Sequence, residues 1–275
     1  MDRLTTLLNR FSLHAGVFYT GNICGIHDFQ QDSVRGHLHL IRRGPVQVIG
    51  VRQENFTIDE PALLFLPRPE THRLVADERS GADVVCGTVQ FGGGTNNPIT
   101  ASLPTVVLVA LQHLPGAEAL LGLLFDEAVA EQEGRQAVLD RLCEVLIIHL
   151  LRYCVAHNLT QGGTLAGLAD VRLAKALTAM YQAPASVWSL PDMAALAGMS
   201  RARIAVHFHQ VTSETPTDYL AGWRVMLAQG LLKRGRPLKH VADEVGYGSA
   251  SALARAFQRK LDCSPGAWLK GAEPV

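Results

Sequence analysis

Apolar and polar residues follow two different rhythms along this chain. Between residues 16 and 91 the alternation is short and broken by turn residues, with apolar-rich runs at 37–41, 46–51, 62–66 and 84–91. Gly44-Pro45, Pro67-Arg68-Pro69 and Gly92-Gly93-Gly94 punctuate them. A period of two predicts strands, and many short strands in so little chain predict a barrel or jelly roll. From residue 117 the rhythm becomes helical. Residues 117–133 and 136–157 predict two amphipathic helices joined around Glu133-Gly134. In the second, Leu139, Leu142, Cys143, Leu146, Leu150, Tyr153 and Cys154 recur at helical spacing. Residues 158–167 are polar and glycine-rich, which predicts a flexible linker. Every element predicted beyond it is a helix: 170–182 with Leu173, Leu177 and Met180 inward, 190–197, 200–211, 216–234, 239–245 and 249–261. In the longest, Leu220, Trp223, Leu227 and Leu231 form the inward side.

The last helices repeat. Ala194-x-x-x-Gly198, Ile204-x-x-x-Phe208 and Pro216-x-x-Tyr219-Leu220 correspond to Ala242-x-x-x-Gly246, Leu253-x-x-x-Phe257 and Pro265-x-x-Trp268-Leu269. The second copy has one extra residue between turn and helix. Each copy reads helix, glycine turn, helix, which is the helix-turn-helix plan. The glycine supplies the positive φ that ends the first helix, and Ser200 and Ser249 stand where N-caps are needed. In the last of these helices Leu253 and Phe257 share one face, while Ser251 and Arg255 lie about 200° round on the other.

With this duplicated motif, residues 172–270 resemble the DNA-binding domain of the AraC/XylS family of transcription regulators. The resemblance implies double-stranded promoter DNA and RNA polymerase as partners, and a regulator, here expected to be an activator, rather than an enzyme. Arg255 is the residue expected on a guanine edge, a contact worth about 1–3 kcal/mol of discrimination. Ala250 and Ser251 sit near the tip of the same helix; Arg259 and Lys260, a turn later, are expected on phosphates. In the first copy the outward positions are Ala202, Ala205, Val206 and His209, with Arg201 and Arg203 on phosphates. Family members often carry a base-reading Arg or Gln where Val206 stands, so weaker discrimination is expected there. Helix 216–234 spans roughly 28 Å, close to the roughly 34 Å between successive major-groove faces.

Charge sharpens the division. The whole chain has 25 Lys/Arg and 25 Asp/Glu, a balance that argues against a polyanion partner. From Val171 onward, however, there are 13 and 7, a net of +6, leaving 12 and 18, a net of −6, before it. A basic half joined to an acidic one fits a nucleic-acid-binding domain attached to something else. Residues 1–10 have no apolar signal-peptide core, and the apolar run 138–155 is broken by Asp140, Arg141, Glu144, His149 and Arg152, so no membrane contact is expected. Five cysteines without small-domain spacing do not make a secreted disulfide framework, and a cytoplasmic protein is expected.

In the family the N-terminal position is usually held by a cupin barrel, and residues 64–74 resemble the second cupin motif. The expected fold class is therefore α+β in two domains. A cupin-like β-barrel (1–115) with trailing helices (116–157) precedes a linker (158–169) and an all-α double helix-turn-helix domain (170–275). Paired helices after a cupin commonly form the dimer contact in the family, which implies a homodimer; simple packing on the barrel is the alternative.

Two chemistries are open to the barrel. Cupin enzymes hold a metal through two His one residue apart, a Glu, and a later His. His37-Leu38-His39 and His72 supply the histidines, but Arg42, Arg43 and Gly44 occupy the region of the Glu. No cofactor is expected; zinc or another transition ion on His37, His39 and His72 is the alternative. The second chemistry is that of thiols. A strand cysteine is ordinarily a small buried hydrophobe, yet a cytosolic pair can also form a transient, sensory disulfide. Cys24-Gly25, Val85-Cys86-Gly87-Thr88 and the neighbouring residues 66–74 and 100–104 resemble the reactive-chlorine-sensing members of the AraC family. That resemblance implies redox roles for Cys24 and Cys86 and a hypochlorous-acid-type oxidant as signal; a small ligand or metal in the barrel is the competing signal. Cys143, Cys154 and Cys263 are expected to be packing residues.

Overall fold

The computed structural model describes residues 3–30, 34–92, 97–114, 116–130 and 132–271. Part of the glycine break at 92–94 therefore lies outside the described residues. The chain divides into two compact units, Leu7–Gln161 and Gly162–Val275, the latter including Met1–Thr6.

Among the described residues of the first unit, nine strands form two antiparallel sheets. They are β1 (Leu13–Ile23), β2 (Gly25–Phe29), β3 (Gly36–Arg43), β4 (Val46–Val51), β5 (Glu54–Ile58), β6 (Ala62–Leu66), β7 (His72–Ala76), β8 (Ala82–Phe91) and β9 (Val107–Ala110). The order is β1-β8-β3-β6-β9 in one sheet and β2-β7-β4-β5 in the other. Strands β4 and β6 keep the limits their patterns predict. β3 and β8 run further, because pairing with a long neighbour continues where the apolar pattern stops. β6 is buried at every position and β3 at all but its last two, as expected of strands covered on both faces. The core draws on both sheets: Ile23, Ile41, Leu64, Val84 and Cys86 from one, Val48, Ile58 and Leu74 from the other.

Helix α1 (Arg3–Arg10) opens the chain, α2 (Pro98–Ala101) follows β8, and α3 (Glu118–Val129) and α4 (Arg135–Ala156) trail the barrel. The register of β1 slips between Val17 and Tyr19. Such a bulge leaves backbone groups outside the ladder, and α4 satisfies them. Asp140 accepts from the Val17 N–H at 2.9 Å, and Gln136 donates to the Val17 carbonyl at 2.7 Å. The helix buries Leu139, Cys143, Leu146, Leu150 and Cys154, while Leu142 and Tyr153 are only partly covered.

The second unit is helical: α5 (Gly163–Ala169), α6 (Leu173–Gln182), α7 (Leu190–Ala197), α8 (Arg201–Thr212), α9 (Pro216–Lys233), α10 (Leu238–Glu244), α11 (Ala250–Leu261) and α12 (Pro265–Leu269). Two expectations are corrected. Residues 163–169, read as linker from their glycines, form α5, because Leu165 and Leu168 are buried and Thr164 hydrogen-bonds the Tyr219 hydroxyl at 2.8 Å. Helix α6 starts at Leu173 rather than residue 170, since the Asp170 carboxylate takes the Arg172 and Leu173 N–H groups at 3.0 and 2.8 Å. On α9 the core face runs through Leu220, Trp223, Val225, Ala228 and Leu232, with Leu227 and Leu231 partly buried at its edge.

Candidate nucleic-acid interface and barrel core

Local chemistry builds both reader helices the same way. Gly198 ends α7 at φ +62°, and Ser200 caps α8 by accepting from the Arg203 N–H at 3.3 Å. Gly246 has φ +87°, and Ser249 caps α11 by accepting from the Ala252 N–H at 3.1 Å. Ile204 and Phe208 pin α8 to the core; Leu253, Ala256 and Phe257 pin α11. What remains outside is Arg201, Ala202, Arg203, Val206, His209 and Gln210 on α8, and Ser251, Arg255, Gln258 and Arg259 on α11. Counted from the matched core residues, Ala202 stands where Ser251 does, Val206 where Arg255 does, His209 where Gln258 does and Gln210 where Arg259 does.

Three placements differ from the expected set. Gln210 and Gln258 belong to the outward faces, and their spacing from Phe208 and Phe257 was the signal that could have found them. Ala205 and Ala250 are half-buried on the shoulders. Lys260, expected on a phosphate, instead lies 2.9 Å from the Glu214 carboxylate, because its phase follows Leu253 and Phe257 toward the protein. His207, on the flank of α8, is likewise taken up by Asp170 at 2.7 Å.

The two readers are tied into one frame by contacts within this unit. The Glu214–Lys260 pair joins the α8–α9 turn to α11. Gly246 approaches the loop before α7 so closely that an added Cβ would lie 2.6 Å from the Ala185 Cα. Arg224 of α9 donates to the Pro184 and Ser186 carbonyls at 2.8 and 2.9 Å and stands over the Tyr247 ring. The eighteen residues of α9 span about 27 Å.

In the barrel, His37, His39 and His72 meet beside Phe29, whose ring stacks on His72 at 5.1 Å between centroids. A directed hydrogen-bond chain runs through two of them. His72 Nδ1 lies 3.1 Å from the Glu70 carbonyl, which only accepts, so this nitrogen carries the proton. His72 Nε2 must then accept from His39 Nε2 at 2.7 Å, which leaves His39 Nδ1 to accept the Cys86 S–H at 3.1 Å. Burial keeps both imidazoles neutral, lowering His72 to about 4 and His39 well below its usual value, and burial also pushes the Cys86 thiol up.

This geometry does not fit the metal alternative. A tetrahedral ion bound at its usual distances would hold two imidazole nitrogens roughly 3.3 Å apart, whereas His39 and His72 are closer and bonded to each other. Arg43 pairs with Asp83 at 3.2 Å and Arg42 lies over Phe125, so the sequence positions where a Glu ligand is expected carry exposed cations engaged elsewhere. Among the described residues no group of three His, Cys, Asp or Glu is arranged to hold a metal.

Nor does the fold bring Cys24 and Cys86 together. Cys24 is exposed just after β1, its thiol on Asn22 Oδ1 at 3.2 Å; Cys86 is buried in β8. Tyr19 faces Cys86 and Ile23 faces Ala82, so four residues of extended strand, roughly 13 Å, lie between Cys86 and the end of β1. A disulfide needs Cα atoms about 4.4–6.8 Å apart.

Residues 2–156 match the Cupin family, and residues 193–271 match a helix-turn-helix domain family. An AraC-like transcription regulator of Streptomyces antibioticus is 33% identical over 301 aligned positions, covering 99% of this chain and 98% of the relative. The chain belongs to the AraC-like transcription regulators. Another relative, the RCS-specific HTH-type transcriptional activator RclR of Escherichia coli, is 27% identical over 97% of this chain and 96% of its own. Among solved structures, ToxT of Vibrio cholerae aligns over 97% of this chain and 100% of its own at 12% identity and a TM-score of 0.42. This AraC-like regulator is an α+β protein with a cupin domain first and a DNA-binding helical domain second, of a non-enzymatic class. No helix among its described residues is long and apolar enough to cross a membrane.

Proposed function

We propose that this AraC-like regulator is a cytoplasmic homodimer that binds promoter DNA site-specifically through α8 and α11, activates transcription in contact with RNA polymerase, and receives an oxidant signal through Cys24 and Cys86. Arg255 carries the DNA-reading part. It is exposed at the middle of the outer face of α11, opposite Leu253 and Phe257, with Ser251 a turn before and Gln258 and Arg259 a turn after. A guanidinium held there offers paired donors to the two acceptors of a guanine edge. Arg201, Arg203 and Arg259 flank the faces and neutralise phosphates. The dimer is supported by the apolar side chains that α3 and α4 leave exposed, Leu123, Val129, Val138 and Val145.

The oxidant part is supported by the exposure of Cys24 and by the name of the Escherichia coli relative, an RCS-specific activator. The Cys24 sulfur attacks the chlorine of hypochlorous acid, leaving an S–Cl bond, while the displaced hydroxide takes the thiol proton and departs as water. The Cys86 sulfur then displaces chloride, its proton leaves with it, and the S–S bond closes. Because strand register separates the two thiols, that bond can close only if the end of β1 leaves β8, and this rearrangement is the signal passed on.

A footprint on promoter DNA with reduced and then oxidised protein, with peptide mass mapping of the cysteines, tests both parts. Arg255→Ala is expected to weaken specific binding by 1–3 kcal/mol, about 5- to 150-fold, and to relax one base preference. An unchanged preference removes α11 as the reader. Cys24→Ala and Cys86→Ala variants that answer oxidant as the parent does remove the thiol switch. A thermal-shift screen of small molecules addresses the competing signal, a ligand anchored on the imidazole cluster.

A further inference from the structure

Val206 occupies on α8 the place that Arg255 holds on α11, and it is 59% exposed. Before it on the same face stands Ala202, also exposed. The neighbouring polar side chain that could have swung toward a base, His207, is instead held by Asp170 at 2.7 Å. Along the line from Ala202 to Val206 the outer face of α8 therefore presents methyl groups, flanked by the exposed Arg201 and Arg203, with no carboxylate anywhere on the helix.

The major groove displays donors, acceptors and one apolar feature, the C5-methyl of thymine. A patch made of Val and Ala has no complement for the first two. Set against a donor or acceptor it would strip water from that group without replacing the bond; set against a methyl it gains buried apolar area. We propose that Val206, seconded by Ala202, makes α8 a reader of thymine methyl groups, so that the two half-sites are recognised by different chemistry: guanine edges by α11 and thymine methyls by α8. His209 and Gln210, a turn further on, border the patch and limit it to one or two base pairs. This rests on the reading of α8 and α11 as the DNA-contacting helices, and it names what the first of them selects.

The test begins with selection of binding sites from random duplex DNA by the full-length protein. The α8 half-site is the one whose preferences Arg255→Ala leaves alone. Deoxyuridine, which differs from thymidine only by the missing methyl, then replaces thymidine in each half-site separately. Uracil in the α8 half-site is expected to weaken parent binding about three- to fivefold per methyl lost, and uracil in the α11 half-site to change nothing comparable. Val206→Ser, at an exposed position that the fold does not depend on, is expected to bind thymine and uracil sites alike while unfolding at the temperature of the parent. A parent indifferent to uracil in the α8 half-site, or a Val206→Ser protein as sensitive as the parent, overturns the proposal while leaving site-specific binding intact. A selection that enriches no sequence overturns site-specific reading itself, and this inference with it.

Discussion

Arg259 and Lys260 are adjacent cations with different surroundings. Arg259 points away from the core of α11, whereas Lys260 falls on the side of Leu253 and Phe257 and closes on Glu214. Helical phase, not charge, decides this. The pair is partly exposed, 23% for the lysine and 43% for the glutamate, so it contributes at most about 1 kcal/mol. Salt dependence separates the two roles. Arg259→Ala is expected to reduce the slope of log Kd against log salt by about one, the signature of a lost phosphate contact. Lys260→Ala is expected to leave the slope alone and to lower stability slightly. Equal slope changes for the two variants would put Lys260 back on the DNA. Arg68, in the loop between β6 and β7, also spends its charge within the protein, donating to the Thr100 and Leu103 carbonyls at 2.6 and 2.9 Å.

Among the elements, α5 shows where local pattern stops being sufficient. Its sequence, Gly163-Thr-Leu-Ala-Gly-Leu-Ala169, carries two glycines of low helix propensity. What fixes it comes from far along the chain: Gly167 lies so near α6 that a Cβ would meet the Leu177 Cδ1 at 2.5 Å, and Thr164 joins a buried hydroxyl network with Tyr219 and Tyr181. The spacing of Leu165 and Leu168 was legible; the partners were not. The reader motifs were legible for the opposite reason, since Ser caps, turn glycines and core spacing all act within one turn of where they stand. Strand register lies at the other extreme: nothing near Cys24 or Cys86 in sequence says that β1 and β8 hold them apart. If α5 is packed structure, Leu168→Ala should cost about 2–4 kcal/mol. Urea unfolding followed by tryptophan fluorescence reads this directly, because Trp188, Trp223 and Trp268 all belong to the helical unit. A loss under about 0.5 kcal/mol, typical of a surface site, would return the segment to a linker.

Taken as a whole molecule, the two units answer acid differently. In the barrel, burial lowers His72 from 6.5 to about 4 and holds His39 well below its usual value. The unfolded chain therefore binds protons that the folded barrel refuses. Stability conferred by the neutral imidazoles is complete above the unfolded value and declines as pH falls from about 6.5 toward 4, where His72 itself begins to protonate in place. His72 alone accounts for up to about 3 kcal/mol across that window, and its protonation also reverses the chain to His39 and Cys86, since His72 Nε2 would then donate and His39 would have to change tautomer to accept. In the helical unit the groups with resolved acid sensitivity are the exposed Asp192, held low by its hydrogen bonds with Ser189, and the partly buried Asp170. Burial there acts upward, but the Leu173 N–H and His207 outweigh it and hold the carboxyl below its usual range, so its contribution is lost only below about pH 4. Between pH 6.5 and 4.5, hydrogen-exchange protection of β3, β6 and β7 is expected to fall while tryptophan fluorescence from the helical unit stays level. His72→Gln should flatten the barrel's response through this range. Protection that is level from pH 6.5 to 4.5 in the parent would mean that the imidazoles take up protons in the folded barrel as readily as in the unfolded chain, and the donor–acceptor order from Glu70 to Cys86 would be wrong.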